Sequence, residues 1–270
     1  MNIRICFVKY GRLRFLGHLD VMRFFQRAIA RSGVPIAYSQ GFHPHMIMSF
    51  AQPLALSMTS DGEYFDCELS AETVDPEKLA DDLRGAMCDG FTIRSVSVLP
   101  EREPNTKKQT GMSQIAGAMY LCEPVNEETE QCLEDAVTEF AAAGSACIEK
   151  KGKSGMRSVD VRSGIHAIGL VAPNGTVTYL HNDEVFDGPD TLAEGWGYIR
   201  SEHAIHRDGA VRFLFAVDAG SENNISAEMI AQALRNFVPT DDALPERFLT
   251  AHRMELYGMR DEHMVSLSRL

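Results

Sequence analysis

Arg12–Phe50, RLRFLGHLDVMRFFQRAIARSGVPIAYSQGFHPHMIMSF, is the stretch on which the reading of this chain turns. Val21, Phe24, Phe25, Ala28 and Ile29 recur at the spacing of one buried helical face. Arg23, Arg27 and Arg31 stand four residues apart, so their guanidinium groups line up in one stripe on the opposite face. Asp20 falls in the first turn, where a carboxylate is favoured by the helix dipole, and Gly33 followed by Pro35 ends the helix. His18 precedes the helix. His43 and His45 follow it, and in an extended segment they would project to one side.

Outward from this helix, the chain reads as alternating strands and helices. Ile3, Ile5 and Phe7 alternate with Arg4, Cys6 and Val8, which makes Asn2–Lys9 a strand inside a sheet. Met46–Phe50 and Glu63–Leu69 are the next strands. A helix begins at Asp75-Pro76 and stops near Gly90, and Phe91–Val98 is a strand. The order β-α-β-β-α-β is the split βαβ, or ferredoxin-like, arrangement. Pro100–Gly111 (PEREPNTKKQTG) is polar and punctuated by proline, as linkers are.

Beyond the linker, Ala116–Glu123, Ala146–Lys150, Ile165–Ala172, Val177–His181, Val211–Val217 and Ala251–Tyr257 read as strands. One helix buries Leu133, Ala136, Val137 and Phe140, and a second runs through Met229, Ile230, Ala233, Leu234 and Phe237. The tail from Met259 is expected to fray. The fold class is therefore α+β, two ferredoxin-like units in tandem. Residues 1–99 form the first, 100–114 the linker, and 115–270 the second, with an insertion around 182–206.

Composition narrows the function. The chain has 270 residues and a net charge of −12, which disfavours a protein that coats nucleic acid indiscriminately and excludes duplex DNA as the expected partner. The charge is uneven: residues 1–50 carry seven Lys or Arg and one acid, Asp20, while the remaining 220 residues carry 19 basic and 37 acidic groups. One basic region on an acidic body suits a local anionic ligand. The six cysteines are scattered without Cys-x-x-Cys spacing, as expected of reduced structural thiols. Their scatter also rules out a three-cysteine iron–sulfur motif in this chain. No apolar run is long enough to span a bilayer, and the start, MNIRICF, lacks a signal peptide's pattern, so a cytoplasmic location is expected.

The site candidates gather in the opening stretch. Arg23, Arg27 and Arg31 suit phosphate or carboxylate, with Lys9, Arg12 and Arg14 extending the same surface. The competing reading is a solvated helix face. Tyr38, Ser39, Gln40, Gly41 and Phe42 form a polar-aromatic loop able to stack a base or cover a small ligand, set against an equal reading as a well-packed connection, and His45, Ser49 and Gln52 add hydrogen-bonding groups. His18 and His43 are candidates for acid–base work, set against an ordinary reading in which His18 caps the helix and the Gly41–Pro44 segment is a rigid turn. The histidine spacing is no known zinc signature, so neither a metal nor another cofactor is expected. Glu63 and Asp66 read as ordinary polar strand residues unless the fold brings them to this cluster. Lys150, Lys151, Lys153 and Arg157 form a basic surface hairpin. Asp160 and Arg162 are of the kind that fixes a turn. Gly195-Trp196-Gly197 lacks the strand and helix of a nucleotide fingerprint.

The run FVKYGRLRFLGHLDVMRFFQRAIARSGVPIAYSQGFHPH, followed by SFAQPLALSMTSDGEYFDCEL, resembles the bacterial radical-SAM-linked family of unknown function. Weaker matches follow in RSVDVR (157–162), the helix after Ser226, and HRMELYG (252–258). Members of that family are fused to, or encoded beside, a cobalamin-binding radical SAM protein, often near genes for ribosomal proteins and a ribonuclease. The resemblance therefore implies a radical SAM partner, and no reaction. This chain departs from the family at Ser163 (usually proline), at Ser226-Ala227 (usually Arg-Pro) and near Ser57 (usually glycine). All three departures lie outside the first motif. The expected role is an accessory protein that binds an anionic substrate, structured RNA above all, for that partner. A metal-free RNA-processing enzyme using His18 or His43, and a protein–protein adaptor without RNA contact, are the alternatives.

Overall fold

In a computed structural model, residues 1–100, 110–152, 155–186, 201–204, 207–239 and 244–270 are described. The fold mixes α and β around one large sheet. The first half runs β1 (Asn2–Lys9), α1 (His18–Ser32), β2 (Met48–Phe50), β3 (Thr59–Glu68), α2 (Pro76–Arg84) and β4 (Phe91–Val98). β1 lies between β4 and β3, β2 joins β3, and all three pairings are antiparallel. Ile3, Ile5 and Phe7 of β1 pack with Phe65 of β3 and with Phe25 and Leu83 of the two helices. Asp75 starts α2 by accepting hydrogen bonds from the backbone of Glu77 and Lys78. That helix ends at Gly85, earlier than its sequence suggests. Gly90 serves another purpose: its carbonyl accepts from Tyr10 N–H, and a Cβ there would lie 2.5 Å from Leu13.

The second half contains α3 (Gly111–Gln114), β5 (Ile115–Pro124), α4 (Glu128–Ala142), the hairpin β6 (Cys147–Gly152)–β7 (Gly155–Asp160), β8 (Ile165–Val171), β9 (Val177–Asn182), β10 (Arg212–Asp218), α5 (Ala227–Leu234), β11 (Leu249–Arg260) and β12 (His263–Ser266). Its strands take the order β11-β5-β10-β8-β9. Leu133, Val137 and Phe140 of α4 and Ile230 of α5 bury against one face of these strands. Met119, Leu214, Met254 and Tyr257 fill a separate core with Met264. The tail does not fray. The chain turns at Asp261-Glu262, both with positive φ, and β12 pairs back onto β11, burying Met264 and Val265. Much of the expected linker (101–109), Lys153, Trp196 with its flanking glycines, and most of the 182–206 insertion lie outside the described residues.

The halves meet where β11 runs parallel to β3, and the ladder there is only two residue pairs long, His252 with Thr59 and Arg253 with Ser60. Buried charges reinforce it. Arg253 grips Glu63 through two hydrogen bonds of 2.8 and 2.6 Å and donates to Gln52 O. Arg4 grips Asp66 in the same fork-to-fork manner and also reaches Gln114 and the Leu267 carbonyl. Gly111 N–H donates to Asp66 as well. Glu63 and Asp66 are thus the anchors of the seam, a correction to their reading as ordinary strand residues. Gly62 is required there, since a Cβ would stand 2.7–2.9 Å from Glu255 and the Met254 carbonyl.

Removing one member of a buried pair strands the other, so Glu63→Gln or Arg253→Met is expected to cost about 3–5 kcal/mol in denaturant unfolding. The apolar double replacement Glu63→Leu/Arg253→Met is expected to recover most of that loss. Additive losses in the double variant would show that the pair does not act as a unit.

Candidate functional site

α1 is the element that exposes the basic face. Val21, Phe25, Ala28 and Ile29 are buried, which turns Arg23, Arg27 and Arg31 outward, all three exposed. Gly17 is the N-cap and offers no side-chain cap, so His18 is the first helical residue rather than its cap; Gly33 closes the helix in the left-handed region. Arg23 lies 3.5 Å from Asp20, a loose pair between exposed groups. Arg31 donates to the Ala86 carbonyl. Arg27 has no hydrogen-bonded or ionic partner among the described residues. Arg12 is exposed, and Arg14 lies over the Phe15 ring. Lys9 does not extend this surface. Its ammonium is buried and donates to the carbonyls of Leu16 and Arg14. Burial lowers its pKa, with Glu63 opposing.

The loop after α1 is pinned at its neck and open at its tip. Tyr38 and Met46 form a bridge, and the Ser39 hydroxyl meets both His45 Nδ1 (2.8 Å) and His45 N–H (3.1 Å). Gly41, at φ +120°, makes the bend. Phe42 is fully exposed and Tyr38 half so. The segment bends at His43 instead of extending, so His43 and His45 are not paired on one strand face. His18 sits edge-on to Phe50, 5.5 Å between ring centroids. It lines a cavity of about 20 Å³ with Lys9, Gln52 and Glu63, room for one water-sized group. Gln52 donates to Asn224 rather than to the loop.

Asp160 and Arg162 fix a corner of the second half. The Asp160 carboxylate accepts from the backbone of Ala146 and Arg162, while Arg162 donates to the carbonyls of Ile165 and Ala141. A groove of about 700 Å³ is lined by residues such as Gln114, Asp218, Asn223 and Arg260, none of them in α1 or the 38–46 loop. Among the described residues, no group of three or more His, Cys, Asp and Glu is arranged to hold a metal ion.

A polar cluster that sequence reasoning missed lies beside the seam. Asp61 meets His203 Nδ1 at 2.8 Å and His252 Nε2 at 3.1 Å. His252 also touches the Thr59 and Ser201 hydroxyls at 2.7 and 3.2 Å. Burial alone would raise the Asp61 pKa, but hydrogen bonds and charge from His252, helped by Ser201 and His203, bring it down to about 2. Nearby Glu255 is fully buried, and burial pushes its pKa up to about 7 despite hydrogen bonds from Tyr64 and the charge of Arg94. The only signal in the sequence is the density of ionisable residues inside two strands, SDGEYFDCE and HRMELYG.

Residues 2–186 match the profile of a family described as an uncharacterized protein conserved in bacteria (DUF2344). The chain belongs to the DUF2344 family. No curated protein matches it significantly. Among solved structures, "an Unknown Protein from Galdieria sulphuraria" aligns with this DUF2344 chain over 87% of its length and 88% of the other, at 12% identity and a TM-score of 0.23.

The buried carboxylates make stability depend on pH in two opposite ways. Glu255 binds its proton more tightly folded than unfolded, so its contribution is full below 4.5 and is lost as pH rises to about 7. Asp61 behaves inversely, contributing above 3.8 and losing that contribution as pH falls toward about 2. Unfolding free energy is expected to decline between pH 4.5 and 7, and Glu255→Gln is expected to flatten that decline. An unchanged profile in the variant would assign the decline to another group.

Proposed function

We propose that this protein is a cytoplasmic accessory module that binds structured RNA for a cobalamin-binding radical SAM partner. The observation that carries the reading is the exposed face of α1. Arg23, Arg27 and Arg31 stand outward in one row, and among the described residues Asp20 is the only acid paired with them. Such a row suits the phosphate backbone, which sets position, while Phe42 and Tyr38 on the exposed loop supply rings on which an unpaired base stacks. The radical SAM partner rests on the resemblance of the opening motif. The strand orders β4-β1-β3-β2 and β11-β5-β10-β8 support reading the halves as two ferredoxin-like units in tandem. No described helix is long and apolar enough to cross a membrane. His18 packs against Phe50 and His43 stands on an exposed bend, which favours binding over chemistry by either ring.

The test is a pull-down from the native lysate, with and without RNase, using wild type and Arg23→Ala/Arg27→Ala as bait. A defined RNA enriched by wild type and lost in the variant is expected. With that RNA in hand, removal of two phosphate contacts should reduce the slope of log affinity against log salt by about 1.4–1.8. Recovery of a radical SAM protein without RNA, unchanged in the variant, would overturn RNA binding and leave an adaptor.

A further inference from the structure

The small cavity at the start of α1 is lined by Lys9, His18, Gln52 and Glu63, with apolar walls from residues such as Phe7 and Phe50. Two of the lining residues carry polar groups that remain unpaired. Lys9 is 2% exposed, and its ammonium has three N–H donors. One meets the Leu16 carbonyl at 2.8 Å, and another makes a long bond of 3.4 Å to the Arg14 carbonyl. No acceptor among the described residues takes the third. Gln52 donates through Nε2 to Asn224 Oδ1 at 2.7 Å, and its backbone carbonyl accepts from Arg253 at 2.7 Å. Its Oε1 is buried with no hydrogen-bond partner. A donor and an acceptor left unpaired in one interior space are each costly, and both face the same few cubic ångströms.

We propose that this cavity is a binding site for one water molecule, which accepts from Lys9 Nζ and donates to Gln52 Oε1. Volume fixes the size of the ligand. A water needs about 10–15 Å³ of such space, so about 20 Å³ admits one and excludes a larger solute. Charge fixes its class. An anion would face Gln52 Oε1 and the Glu63 carboxylate, and a cation would face the Lys9 ammonium. A neutral molecule that both donates and accepts satisfies both sides. The water also completes a polar chain between the halves of the protein. Lys9 holds the carbonyls of Arg14 and Leu16 just ahead of α1, and Gln52 holds Asn224 and Arg253 of the second half. With water between Lys9 and Gln52, the base of the arginine-striped helix is tied to the second half. This third tie stands beside the Arg253–Glu63 and Arg4–Asp66 pairs. None of it depends on what binds the outer face of α1.

The experiment joins a crystal structure of the full chain, from crystals soaked in bromide, to oxygen-17 relaxation dispersion in solution, which counts long-held waters. The density is expected to show one water within hydrogen-bond distance of both Lys9 Nζ and Gln52 Oε1, without an anomalous bromide signal. In solution, Gln52→Met removes the acceptor at similar volume, and the count of long-held waters should fall by one. Lys9→Met should remove the same water, so the loss in the double variant should still be one. An empty cavity, a bromide peak within it, or a water touching only one of the two residues would each overturn the proposal. So would an unchanged count in either folded variant. Gln52 also holds Asn224 and Arg253, so its variant is the one at risk of misfolding; Lys9→Met and the wild-type density then decide.

Discussion

The grip of Arg253 on Glu63 is the constraint from which the rest of this structure follows. A parallel ladder two residue pairs long cannot by itself hold two halves of a sheet. Charged groups buried beside it supply direction as well as attraction, because a guanidinium fork meets a carboxylate in one geometry only. Arg4 and Asp66 repeat the device on the neighbouring strand. Arg253 and Glu63 fix the register of β11 against β3, while Arg4, held by Asp66, ties the first half to Gln114 and the Leu267 carbonyl of the second. Apolar residues of equal volume would bind the strands but would not choose between registers, so the ion pairs contribute specificity more than net stability.

The same seam divides the molecule's chemistry. On one side, the aromatic core of Phe7, Phe25, Phe50 and Phe65 holds α1 so that its basic face points out. On the other, Tyr64, Glu255, Arg94 and Asp61 form a polar interior in which protons and charges are shared among neighbours. β1 separates the two by simple alternation, with Ile5 and Phe7 toward the helices and Arg4 and Cys6 toward the seam.

What was legible in the sequence was local. Four buried positions of α1, the Asp75 cap and the alternation of β1 follow from periodicity and capping chemistry, which are set by residues a few positions apart. The arginine stripe was visible for the same reason. What escaped was decided at a distance. Glu63 and Arg253 are 190 residues apart, and Asp61 and His203 are 142 apart. No spacing rule relates them, and each acid alone looks like a solvent-facing strand residue. Lys9 was misplaced because its partners are carbonyls, which carry no side-chain signature. β12 was missed because its turn uses Asp261 and Glu262 at positive φ, where glycine or asparagine would have announced it.

The contact between Arg4 and the Leu267 carbonyl spans 263 residues. As the chain leaves the ribosome, β1 and β3 emerge first, with Arg4 and Asp66 able to pair, while Glu63 must wait for a partner made 190 residues later. During that interval β3 presents an unfilled edge, with the Glu63 carboxylate solvated instead of paired. A topology so rich in distant contacts folds slowly, and its nascent first half is exposed to wrong partners until β11 has been made.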